Sequence, residues 1–188
     1  SCDQNDCDRY QMFYHQQFAY MPTELADEDI VTDALFVGRD KGRLDTLRQL
    51  TALIEGAGKS VLIDVHQSES GAENSKPLLS YQQYLTKVAG SRCLIENLQQ
   101  GQAGSTLRPI EAAVLQKKLI TNNTNVLSQA FYRPRNILLF DQYTTSTTIA
   151  DFFAQRFNRV PPSILAKFSA RVVLSCMAAQ ALGVDSEQ

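Results

Sequence analysis

The chain has only four cysteines, Cys2, Cys7, Cys93 and Cys176, and only two histidines, His15 and His66, among 188 residues. No two cysteines stand in C-x-x-C spacing, and neither histidine lies near a useful cysteine. The pattern therefore argues against a zinc site. Cys93 and Cys176 sit in apolar runs and read as buried thiols. The polar segment around Cys2 and Cys7 gives no reason to pair them, and such usage fits a reducing cytoplasm. Long apolar runs are missing too. The longest, Val172 to Val184, contains Ser175 and Gln180 and follows Arg171. A membrane crossing needs roughly 20 apolar residues, so this run reads as a packing helix, and no transmembrane segment is expected. No basic-then-apolar leader opens the chain. Neither charge sign dominates: the formal net charge is −2 and the pI about 5.7. Coating of nucleic acid is disfavoured on that ground.

What is present suits a globular domain. Apolar residues make up 44% and charged residues 20%, enough for a sizeable core. Residues 1–29 form an aromatic-rich helix or linker, with a helix expected from Arg9 to Tyr20 through Tyr10, Phe13, Tyr14 and Phe18, before an acidic run from Glu24 to Asp29. Residues 30–184 form the main lobe. Apolar runs at Ala34–Val37, Val61–Val65, Cys93–Ile95, Leu119–Ile120 and Ile137–Phe140 read as five buried strands. Between them, helical spacing recurs in Leu44, Leu47, Leu50, Leu53 and Ile54, and again in Tyr81, Tyr84, Leu85 and Val88 behind a capping Ser80. Further helices are expected from Thr106 to Leu115, with Pro109 in the first turn, from Ser146 to Phe157, and from Ser163 to Ala181. Residues 123–130 read as a short helix or turn. Strands alternating with helices imply an α/β fold: a Rossmann-like, doubly wound, mostly parallel sheet of about five strands with helices on both faces.

Two loops at strand carboxyl ends carry the chemistry. Such sheets bind ligands there. Gly38-Arg39-Asp40-Lys41-Gly42-Arg43 follows the first strand, and its cations and glycines suit a diphosphate. Gly101-Gln102-Ala103-Gly104-Ser105-Thr106-Leu107-Arg108-Pro109-Ile110-Glu111 joins the third strand to a helix start, where unpaired N–H groups favour anions. Arg108 and Glu111 are three apart and can share a face. On this reading, Gly38, Arg39, Lys41 and Arg108 surround the diphosphate with Gln102. Gly104, Ser105 and Thr106 donate N–H groups, and Glu111 accepts from ribose hydroxyls. Other signals carry less. Gly58-Lys59-Ser60 precedes a strand instead of following one. Asp27-Glu28-Asp29 lies in an acidic run, and Gly38 to Gly42 lacks dinucleotide spacing. No metal or other cofactor is expected, and the catalytic residues are not identified.

Leu79-Ser80-Tyr81 with Tyr84-Leu85, Ser91 to Glu96, Gly101 to Ala112, Lys117 to Asn123 and Phe131 to Ile137 together resemble bacterial lipopolysaccharide and capsule biosynthesis proteins of glycosyltransferase-B type. The resemblance covers roughly residues 33–170. It implies the carboxyl-terminal, donor-binding lobe of a transferase that moves sugar from a nucleotide-diphosphate sugar to a saccharide or lipid-linked acceptor. It also implies a partner amino-terminal lobe elsewhere, a cytoplasmic setting and peripheral contact with the inner membrane face. In that family a glutamate at the position of Glu111 holds ribose, and Arg39 and Lys41 match the cations on the diphosphate. A second glutamate eight positions earlier is replaced here by Ala103, which leaves inversion or retention open. The competing expectation is an inert module that binds a nucleotide or a protein.

Overall fold

The computed structural model describes residues 4–15, 17–19, 29–66, 79–99 and 106–182. Five strands form one parallel sheet: β1 Thr32–Arg39, β2 Val61–His66, β3 Ser91–Glu96, β4 Lys118–Thr121 and β5 Ile137–Leu139. Their spatial order is β2-β1-β3-β4-β5. The helices are α1 Gln4–Tyr10, α2 Leu44–Gly56, α3 Tyr81–Ala89, α4 Arg108–Val114, α5 Ser146–Ala154, α6 Pro162–Leu165 and α7 Ala170–Leu182, with 3-10 turns at Thr124–Ser128 and Ala166–Phe168. The expected α/β doubly wound fold is the one observed.

Two apolar layers show why both strand faces are apolar. Ala34, Phe36, Cys93, Ile95 and Ile120 pack with Leu47, Leu50 and Ile54 of α2 and with Ile149 and Phe152 of α5. Leu35, Leu94 and Leu119, pointing the other way, pack with Tyr84, Leu85 and Val88 of α3, with Ile110 and Ala113 of α4, and with Phe131 and Phe168. Side chains alternate across a strand, so a sheet covered on both sides buries both sets. The chain leaves β1 toward β2, then turns back past β1 to β3. Crossovers of one hand in opposite directions put α2 on one face and α3 and α4 on the other. The reversal leaves a crevice between the carboxyl ends of β1 and β3.

Local chemistry sets several boundaries. Ser80 caps α3: its Oγ accepts from the Gln83 N–H at 3.2 Å, while the Ser80 N–H donates to Gln83 Oε1 at 2.8 Å. Pro109 sits in the first turn of α4, where no helical N–H is lost. Gly42, at φ +74°, makes the turn before α2, and its N–H donates to Asp40 Oδ1 at 2.9 Å.

Four expectations are corrected. The helix expected over Arg9–Tyr20 is instead Gln4–Tyr10, ended by Gln11 at φ +51°. Tyr10, Phe13, Tyr14 and Phe18 have helical spacing but stay exposed, so no packed face supports a longer helix. The single helix expected over Ser163–Ala181 is broken: α6 with its 3-10 turn and α7 bend by 57° at Ser169. The break turns Phe168 into the core, edge-on to Phe131 at 5.4 Å. Only Val173 of α7 is buried, so α7 is no packing helix along its length, and Cys176 is exposed where a buried thiol was expected. Cys93 is fully buried as expected. No single described helix is long and apolar enough to cross a membrane, although α6 and α7 pass by length and composition when counted together.

Candidate functional site

A cleft of about 310 Å³ opens beside the β1–β3 crevice. Its lining includes Val37, Gly38 and Arg39 from β1, His66 from β2, Tyr81 and Tyr84 from α3, and Arg108 and Glu111 from α4. Four of the expected binding residues, Gly38, Arg39, Arg108 and Glu111, thus come together. Lys41 is exposed and lies outside this lining. Thr106 also lies outside it, turned toward Glu96. Gln102, Gly104 and Ser105 fall outside the described residues.

Arg108 is the centre of the wall. Its Nη1 donates to the Tyr84 hydroxyl at 2.8 Å and its Nη2 to the Val37 carbonyl at 2.9 Å. Its Nε is 3.8 Å from Glu111 Oε2, and its guanidinium lies over the Tyr84 ring, 4.9 Å from the centroid. Tyr84 in turn donates to Glu111 Oε2 at 3.0 Å. Burial pushes the Tyr84 phenol well above its ordinary value, although Arg108 opposes the shift, so the hydroxyl stays a donor. The sequence pairs Arg108 with Glu111 correctly. It does not show that a tyrosine of the preceding helix completes the group.

The floor is built by Arg43, which the sequence reading counted among the cations of the first loop without giving it a role of its own, and by the asparagines that follow β3 and β4. Arg43 Nη2 donates to the Arg39 carbonyl at 3.1 Å and Nη1 donates to the Asn97 carbonyl, so one side chain ties the ends of β1 and β3. Burial, and next the nearby Arg108 cation, lower the Arg43 pKa, against the pull of Asp40 and Glu96. Two guanidinium groups thus repel each other at the crevice, an arrangement that an anion would relieve. Asn122 secures the far side, accepting from the Leu98 N–H at 2.7 Å and donating to Asn97 Oδ1 at 3.0 Å.

Glu96 ends β3 and is 4% exposed. It accepts from the Thr106 hydroxyl and, at 2.5 Å, from the Thr121 hydroxyl. Burial raises its pKa above the ordinary 4.5, while Thr106, Thr121 and Asn123 hydrogen bonds and Arg108 pull the other way. A carboxylate directly after the apolar run Cys93-Leu94-Ile95 was the available signal for it. His66, at the end of β2, is buried with Nε2 3.6 Å from Asp64 Oδ1, and Lys87 Nζ lies 3.2 Å from Asp64 Oδ2. His66 is also part of the cleft lining. Among the described residues no three His, Cys, Asp or Glu side chains are grouped to hold a metal ion.

The site can therefore offer cations to an anion and a carboxylate to hydroxyl groups along one wall. No protein-family model and no curated protein matches the chain. Among solved structures, the chain is similar in fold to AviGT4, a glycosyltransferase involved in avilamycin A biosynthesis. Identity is 13% and the TM-score 0.56, over 90% of this chain and 56% of AviGT4. The chain thus spans little more than half the length of a glycosyltransferase whose fold it shares.

Proposed function

We propose that this chain is the donor-binding lobe of a glycosyltransferase and takes a nucleotide-diphosphate sugar at the β1–β3 crevice. The observation that carries the reading is the cleft wall itself: Arg39, Arg108 and Glu111 face one cavity at the switch point of a doubly wound sheet. Arg39 and Arg108 hold the diphosphate, with Lys41, exposed on the same loop, as a further cation for it. The N–H groups of Gly104, Ser105 and Thr106, together with Gln102 and Gly38, complete its cradle, and Glu111 accepts from ribose. Sugar departure leaves charge on the diphosphate, and fixed cations stabilise that charge as it grows. The base for the acceptor hydroxyl comes from a second lobe, so this chain alone binds donor without turnover. Cell-envelope polysaccharide or lipopolysaccharide assembly at the cytoplasmic membrane face is the setting we assign.

Calorimetric titration with UDP, GDP, ADP, CDP and CMP tests this. One nucleoside diphosphate is expected to bind selectively. Arg39→Ala, at an exposed position, should weaken it about tenfold, and Glu111→Gln similarly. Absence of binding by all five defeats the reading. A second reading has one observation in its favour: Arg108 and Glu111 are already engaged with Tyr84 and Val37. They would then be struts of an inert interaction module, and both variants would alter stability while no nucleotide bound.

A further inference from the structure

We infer that the β2 edge of the sheet, with the flank of α2 beside it, is the interface of a symmetric dimer, its occupant a second copy of this chain. In the order β2-β1-β3-β4-β5, β2 stands at an edge, and among the described residues it pairs with β1 alone. An edge strand offers unpaired N–H and C=O groups, which proteins guard with proline, exposed charge or a bulge. β2 reads Val61-Leu62-Ile63-Asp64-Val65-His66, and its register with β1 is unbroken from Val61 to His66. It has no proline and no lysine. Its one acid, Asp64, is buried with Lys87 Nζ at 3.2 Å, so it sets no bare charge against an incoming strand. Leu62 is 40% exposed. A groove of about 500 Å³ runs between this edge and α2, with Ile63 and Val65 on one side and Leu44, Arg48, Ala52 and Glu55 on the other.

The helix flank is complementary to itself. Arg48 and Glu55 lie two helical turns apart on one flank, with Thr51 and Ala52 between them. A two-fold axis passing between Thr51 and Ala52 sets Arg48 of each copy opposite Glu55 of the other, because the two positions are equidistant from it. The small residues at the axis let the helices approach. Arg48 is already oriented by Asp45, Nη1 to Oδ1 at 2.8 Å, and Glu55 makes no ion pair among the described residues. The same axis pairs β2 with its copy, antiparallel. α2 packs over residues of both β1 and β2, so it stands about half a strand spacing inside the edge. Edge pairing then sets the two α2 axes about two strand spacings apart, roughly 9.6 Å, within the ~8–10 Å of packed helices. A second copy thus supplies the strand, the helix and the opposite charges in one rotation. This groove is on the α2 face of the sheet and the cleft is on the α3 and α4 face. Dimerisation and nucleotide binding can therefore fail separately.

Sedimentation velocity of the 188-residue chain over a range of loading concentrations decides it. The species expected at high concentration has twice the chain mass of 21.0 kDa. Arg48→Glu and Glu55→Arg, both at exposed positions, each make the two symmetric pairs repulsive. Either alone should weaken self-association by about tenfold or more. An equimolar mixture of the two variants should restore the dimer, because acids of one chain then face arginines of the other. Both substitutions in one chain should restore it too. Leu62→Lys, at an exposed position of β2, tests the strand independently of the helix and should also weaken the dimer. Circular dichroism should show that all variants keep the fold. A monomer at every concentration overturns the inference. So does a dimer that none of these substitutions weakens, or one that mixing the two charge variants fails to restore.

Discussion

Tyr84→Phe deletes one oxygen and strands two groups: Arg108 Nη1 and Glu111 Oε2 both lose a partner in a buried setting. Breaking such a bridge costs about 1–3 kcal/mol, so the urea midpoint should fall, with the slope unchanged. Glu96 offers a pH test. Burial raises its folded pKa above the ordinary value, so between those values the folded state holds a proton that the unfolded state has lost. The stabilisation is fully present below about pH 4.5 and fades as pH rises through the folded pKa. Glu96→Gln, which never ionises, should lose less stability than the parent between pH 4.5 and neutrality. Urea unfolding of both proteins across that range checks it; parallel curves would show that burial does not disfavour the ionised Glu96. Glu96 left a signal in sequence, a carboxylate directly after an apolar run, but Tyr84 left none. Tyr84 fits an ordinary apolar helical face, and its hydroxyl meets Arg108 only because α3 and α4 pack on the same side of the sheet.

At the scale of elements, local signals were legible where chemistry was local. The Ser80 cap and Pro109 in the first turn of α4 are written within four residues of each helix start and are observed. The aromatic spacing from Tyr10 to Phe18 was also helical, yet the described residues after Tyr10 form no helix. Periodicity marks a possible buried face, and only packing against a neighbour makes that face real. The same limit applies to α7, where composition suggested a packed helix and only Val173 is buried. Contact between α2 and α5 provides a direct test of packing. A methyl group at Gly56 would lie 2.6 Å from Ser146 Oγ but 3.4 Å from its Cβ. The Ser146 hydroxyl can turn away from that methyl, so Gly56→Ala should change stability by less than about 1 kcal/mol, and should be more favourable once Ser146→Ala removes the hydroxyl. A double-mutant cycle by urea unfolding reads the coupling, and additivity would show that the two helices do not meet there as described.

At the scale of the molecule, alternation of strands and helices in sequence was sufficient to indicate a parallel sheet. Strand order was not legible, because five short apolar strands are interchangeable until their crossovers are placed. Order β2-β1-β3-β4-β5 decides which loops meet, and the meeting of Arg39 with Arg108 depends on it. Arg108 reaches the Val37 carbonyl across 71 positions of chain. None of the cleft walls exists until β1, α3, β3 and α4 have all docked. An occupied cleft therefore fastens the whole lobe instead of one loop: by mass action, a ligand at one hundred times its Kd adds about 2.7 kcal/mol to global stability. Under the proposed function, the nucleotide would act as a removable staple between the two halves of the chain, and a cell short of donor would hold a looser protein.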